Sequence, residues 1–71
     1  GKEERELQKQ LRSLERKIAK YDDEKKELNE QILKTTAADE IAEIQNRLAE
    51  ITREVEELEN EWLELYNELE G

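Results

Sequence analysis

The segment KTTAADE, residues 34–40, separates two ladders of apolar residues that cannot share one heptad register. Within each ladder the apolar side chains alternate at spacings of three and four residues. This rhythm averages about 3.5 residues and predicts a helix with one narrow apolar seam that supercoils around a partner. The ladders are Leu7, Leu11, Leu14, Ile18, Tyr21, Leu28 and Ile32, and then Ile41, Ile44, Leu48, Ile51, Val55, Leu58, Trp62, Leu65 and Leu69.

The offset between the two ladders decides the architecture. With Leu11, Ile18 and Ile32 at heptad position a, one continuous helix would place Asp39 at its next a position, whereas the second ladder requires Ile41 there. Stutters and stammers insert four or three residues, so an offset of two fits neither. We therefore expect the helix to break at the offset and the chain to fold back on itself.

The predicted fold class is all-α, a two-helix antiparallel coiled-coil hairpin that occupies residues 1–71 as a single unit. Helix one is expected over about 2–34, the turn over about 35–38 and helix two over about 37–70. Thr36 and Asp39 have the spacing of a capping box at the start of helix two. The alternative is one long helix in a parallel dimer, because residues 35–39 contain no Gly or Pro to force a turn.

Two registers of the hairpin are open. In the first, Ile18 lies opposite Ile51, and in the second it lies opposite Leu58. The first is favoured here because it forms complementary charge pairs across the seam, which are Lys17 with Glu54 and Glu24 with Arg47. The second instead brings two carboxylates together, those of Glu15 and Glu59. Such pairs specify register more than they add stability.

Composition restricts the functional classes. The chain is 46% charged and 34% hydrophobic, with no Pro, Cys, Met, Phe or His. No His or Cys is available for metal binding or nucleophilic attack, and carboxylates on open helix faces lack the burial that shifts a pKa. We expect no enzyme activity, no cofactor and no metal in this domain.

No apolar run resembles a signal peptide or a membrane span, so a cytoplasmic chain without a membrane partner is expected.

Charge is divided unevenly along the chain. Residues 1–36 carry ten basic and nine acidic side chains, whereas residues 37–71 carry two basic and twelve acidic ones. A basic stripe of this kind can follow a phosphate backbone. The stripe lies on the outward heptad positions of helix one and consists of Lys2, Arg5, Lys9, Arg12, Arg16 and Lys20. Helix two carries an outward acidic line of Glu43, Glu50, Glu57 and Glu64. Alternatively, both faces serve only to keep the hairpin hydrated.

Two segments resemble a known family. WLEL at residues 62–65 and KEERELQKQLRSLERKI at residues 2–18 are similar to the closing and opening motifs of the C-terminal coiled-coil domain of ABC-F ATPases of the Uup type. The resemblance implies a non-catalytic appendage that follows ATP-binding cassettes, in proteins that act on or near the ribosome, with a hairpin associated with DNA binding. The opening motif implies that Lys2 and Arg5 contact the nucleic acid. On physical grounds we extend this contact surface to the rest of the stripe, Lys9, Arg12, Arg16 and Lys20.

The resulting hypothesis is a C-terminal appendage of an ABC-F type ATPase, monomeric, that contacts DNA or ribosomal RNA through the basic stripe. The partners would be that nucleic acid and the upstream ATPase modules of the parent chain. The alternative is a protein-interaction or spacer coiled coil, natural or designed, with no nucleic-acid role. Trp62 is expected as a core anchor, with Leu63 and Tyr66 covered by neighbouring segments rather than forming an open docking patch.

Overall fold

Two helices of equal length make up the molecule. The computed structural model describes residues 1–71, with α1 over Lys2–Lys34 and α2 over Ala38–Glu70, each of 33 residues. The helices pack along their whole length into a rod whose Cα atoms span 54 × 15 × 12 Å. The expected all-α antiparallel hairpin is therefore confirmed.

The reversal needs no glycine because every residue in it has an ordinary backbone conformation. Thr35 and Ala37 are both extended, and no residue in the chain has a positive φ. The expected capping box is absent, since Ala37 is the N-cap of α2 and provides no side-chain hydrogen bond. Asp39 lies in the first turn of α2 instead, where its negative charge suits the helix dipole.

The core is a thin central strip. Only four of 71 residues are buried, namely Leu11, Leu14, Ile44 and Ile51. The remaining seam residues are half-buried because a pair of helices covers each seam from one side only. Ile51 has no exposed surface at all and lies near the middle of α2. Near-complete burial is therefore confined to four side chains, and the other seam residues contribute through partial burial.

The helices do not pair in the register favoured by the surface charges. The indole Nε1 of Trp62 donates a hydrogen bond to Oε1 of Glu15 at 3.2 Å. If Ile18 lay opposite Ile51, Trp62 would lie opposite Leu7, about 12 Å along the helix from Glu15. The preference for that register was wrong, and the structure has the second one.

Burial explains this outcome. The second register lets the last apolar residues of α2 reach α1, and Leu65 shares a cleft with Leu14. Covering a large apolar side chain contributes about 1.5–3 kcal/mol when complete, whereas an exposed ion pair contributes about 0–1 kcal/mol. The carboxylates of Glu15 and Glu59 consequently share a cleft, despite their like charge.

One of the expected charge pairs forms nonetheless. Arg47 donates from Nε to Glu24 Oε2 at 2.6 Å and from Nη2 to Glu24 Oε1 at 2.9 Å, and it also binds Glu50 at 3.1 Å. The long Arg47 side chain accommodates the axial offset between the two positions. Hydrogen bonding to Arg47 lowers the pKa of the Glu24 carboxyl. This bidentate bridge is the one ion pair that links the helices.

Replacing Ile51 by Ala should remove most of the hairpin's stability. Deleting a fully buried Ile side chain costs about 2–5 kcal/mol, and Ile51→Val should cost about 0.5–1.5 kcal/mol. Urea titrations followed by far-UV circular dichroism measure both changes. Leu33→Ala is the matched control, because Leu33 is 86% exposed. Equal effects of Ile51→Ala and Leu33→Ala would contradict the assigned core.

The Glu24 bridge should make a pH-dependent contribution. Because the Glu24 pKa is lower in the folded state, its contribution is complete above the ordinary carboxyl pKa of about 4.3 and is lost as pH falls through the folded-state value. Glu24→Gln should therefore lower the thermal midpoint at pH 7 but not at about pH 2. Glu27→Gln, at an exposed carboxylate without an ion pair, provides the control. A difference between Glu24→Gln and wild type that persists unchanged at low pH would argue against the bridge.

Candidate nucleic-acid interface

The six basic residues of the stripe lie together on α1. All of them are exposed, and their spacings of three and four residues place them on one side of the helix. With a rise of about 1.5 Å per residue, the stripe is about 27 Å long. The apolar seam of α1 faces α2, so the stripe faces outward.

None of these six side chains takes part in an ion pair within the hairpin. The salt bridges join the Gly1 amino group to Glu4, and Arg47 to both Glu24 and Glu50. The ammonium and guanidinium groups of the stripe therefore remain free for an external anion. No intramolecular partner has to be displaced when such an anion binds.

Few carboxylates accompany the stripe. Residues 7–21 contain five basic side chains and a single acidic one, Glu15. The hydrogen bond from Trp62 holds Glu15 on the side of α1 that faces α2. This region of α1 therefore presents positive charge outward without an interleaved negative charge.

Lys20 differs from the other five residues. Together with Lys17 it lines a cleft between the helices, whose opposite wall carries carboxylates from Glu54, Glu57 and Glu61. Lys2, Arg5, Lys9, Arg12 and Arg16 line none of the clefts. The structure thus groups five of the six residues on the outward face and turns Lys20 toward the acidic side chains of α2.

The carboxylates of α2 approach the stripe at Lys20, which shares a cleft with Glu57 of the acidic line, whereas the other five stripe residues share no cleft with them. Packed helices lie about 8–10 Å apart and each is about 10–12 Å across, so the two outer faces are about 20 Å apart. At physiological salt the Debye length is about 8 Å. The stripe can therefore attract a polyanion even though the net charge of the chain is −9.

A second surface surrounds Trp62. Its indole stacks on the Tyr66 ring, with centroids 5.1 Å apart and planes inclined by 10°. Trp62 is half-buried, as expected of an anchor, but Leu63 is 52% exposed and Tyr66 is 39% exposed. The expectation that these two would be covered does not hold within this chain. The four-residue spacing of Trp62 and Tyr66 was the available signal for the stack, whereas the indole hydrogen bond depends on the register.

The stripe has the charge and exposure that suit anion binding. No group of three or more carboxylates is placed to hold a metal ion. Neither helix combines the length and apolar character needed to cross a bilayer. The chemistry that the stripe supports is charge-assisted hydrogen bonding to phosphate oxygens.

Comparison with known proteins gives one match. The family model described as the ABC transporter C-terminal domain matches residues 2–67, which is most of the chain. No curated protein and no solved structure matches. The family match includes both motifs on which the resemblance to the ABC-F ATPases was based, and it confirms that resemblance. The chain belongs to the family of ABC transporter C-terminal domains.

Proposed function

We propose that this domain is a non-catalytic appendage of an ABC-F type ATPase and contacts nucleic acid, DNA or ribosomal RNA, through the basic stripe on α1. The family match supports an origin in an ABC protein. The observation that carries the nucleic-acid part is the absence of ion pairs at all six basic side chains, on a helix whose residues 7–21 contain a single carboxylate, that of Glu15. The upstream ATPase modules would supply the catalysis, and the domain would act in the cytoplasm as a monomer.

The proposed contact is with the phosphate backbone. Lysine and arginine contacts to phosphate position a protein on a duplex but carry no sequence information. The stripe contains no aromatic side chain, and stacking on aromatic rings is what favours single strands. Binding should therefore be insensitive to sequence and should favour a duplex over a single strand of equal length.

Protein binding is a second candidate, favoured by the exposure of Leu63 and Tyr66 beside Trp62. Neither residue belongs to the stripe, so the two functions are compatible.

Replacing Arg5, Lys9, Arg12 and Arg16 by Gln should abolish most of the binding to duplex. Nonspecific affinities of about 10⁻⁴–10⁻⁶ M are typical, and each phosphate contact contributes about 0.9 to the slope of log K against log salt. Losing four contacts should therefore reduce that slope by about 3–4. Fluorescence anisotropy of labelled duplex DNA and duplex RNA, titrated at several salt concentrations, measures affinity and slope together.

A variant with the same change in charge controls for net charge. Lys25, Lys26, Lys34 and Arg53 are also exposed, and all four lie outside the stripe. Their replacement by Gln should leave the salt slope nearly unchanged and reduce affinity much less. If both quadruple variants weakened binding equally, the interaction would reflect overall charge and the stripe would not be the contact surface. Absence of binding by the wild type at low salt would contradict the nucleic-acid proposal for this domain.

A further inference from the structure

An apolar cleft lies beside Trp62 on the flank of the hairpin. Ile18 and Ala19 of α1 form one wall, and Trp62 and Leu63 of α2 form the other. The exposed ring of Tyr66, stacked on Trp62, extends this surface by one helical turn. Leu63 lies outside the seam and is 52% exposed, so its side chain contributes little to the packing of the two helices.

Negative charge surrounds the cleft. Glu15, Asp22 and Glu59 line it together with the four apolar residues. None of the three carboxylates forms an ion pair in the structure. Glu15 accepts the indole N–H of Trp62 with one oxygen, which holds it in place and leaves its other oxygen free to accept a hydrogen bond. The cleft thus combines an apolar floor with an acidic rim whose carboxylates have no ion-pair partner within the chain.

We propose that this cleft binds a basic amphipathic helix of a partner protein. One or two large apolar side chains of that helix would enter between Ile18 and Leu63, and flanking Lys or Arg side chains would pair with the three rim carboxylates. Helix-in-groove recognition uses anchors of this kind at spacings of three and four residues. The negative charge of the rim favours a positively charged partner, since opposite charges across an interface favour encounter and like charges disfavour it.

The same rim argues against other occupants. A symmetric dimer through this surface would place the carboxylates of one copy against those of the other, because a two-fold interface joins identical patches. Two chains of net charge −9 would also repel each other. Nucleic acid and anionic lipid are disfavoured for the same reason. The inference does not depend on the nucleic-acid proposal, which concerns a different face of α1.

The single tryptophan of the chain provides a direct reporter. The probe is a synthetic helical peptide of about 18 residues without Trp or Tyr, with Leu at spacings of three and four and Lys on both sides of the Leu stripe. Titration of this peptide should shift the Trp62 emission to shorter wavelength and reach saturation. A peptide with Glu in place of Lys should not bind, and neither should one with Ser in place of Leu.

Variants of the cleft test its two components separately. Leu63→Ala should weaken binding by about tenfold, from loss of apolar contact. Glu15→Gln, Asp22→Asn and Glu59→Gln, combined in one chain, should remove most of the affinity. Gln at residue 15 still accepts the Trp62 hydrogen bond, so the fold should be retained, and circular dichroism checks this.

Two controls match these variants. Leu33→Ala removes another exposed leucine, at the far end of the rod. The second control changes the charge by the same amount near the turn, by replacing three exposed carboxylates with Gln, those of Glu27, Glu30 and Glu43. Both should leave the peptide affinity unchanged, as should the quadruple Gln variant of the stripe. The proposal would be overturned if test and control variants lost peptide affinity equally, or if the Glu peptide bound as tightly as the Lys peptide. It would also be overturned if the Lys peptide gave no saturable shift of the Trp62 emission. Self-association, measured by sedimentation, that Leu63→Ala abolishes would overturn it as well, because a second copy would then occupy the cleft.

Discussion

The structure depends on the reversal of the chain between Lys34 and Ala38. A single helix with this composition would leave its whole apolar seam in water, and helical propensity alone stabilises such a segment only marginally. The reversal supplies the partner seam at high effective concentration within the same chain. Because the connection has only three residues, the chain reverses directly, and residues near the two termini are brought close to each other.

The pairing also determines which surfaces are available for binding. Two helices bury only four residues completely, so most of the molecule is surface, and that surface is divided by charge. The outward face near the start of α1 is basic, and α2 is strongly acidic. The Trp62 cleft lies between the helices, with Glu15 held at its edge. A rod of this kind can present opposite charges on its opposite outer faces, because salt screens charges from one another over its width.

The fold could be predicted from the sequence because the heptad pattern and its mid-chain offset record which side of each helix is buried. The exposure of the six stripe residues follows from the same pattern. The register could not be predicted, since it depends on the sum of many partial burials, whereas the charge pairs used to choose it are individually weak. The capping box expected at Thr36 and Asp39 is absent, because Ala37 is the N-cap of α2 and Asp39 lies within its first turn.

The site was predictable only in part, for related reasons. The position of Lys20 beside the carboxylates of α2 follows from the register and was therefore missed. The Trp62 hydrogen bond to Glu15 depends on the register in the same way. Both features involve contacts between residues far apart in sequence, which a periodic pattern does not encode.

The distance between the two ends of the chain tests the hairpin most directly. The sequence contains no cysteine, so Glu3→Cys and Glu68→Cys, both at exposed positions, can carry a single pair of spin labels for pulsed electron paramagnetic resonance. In the hairpin the helix axes lie about 8–10 Å apart, and with the label arms the distance distribution should centre at about 15–35 Å. One continuous helix would separate the labels by roughly 100 Å, and that result would contradict the structure described here.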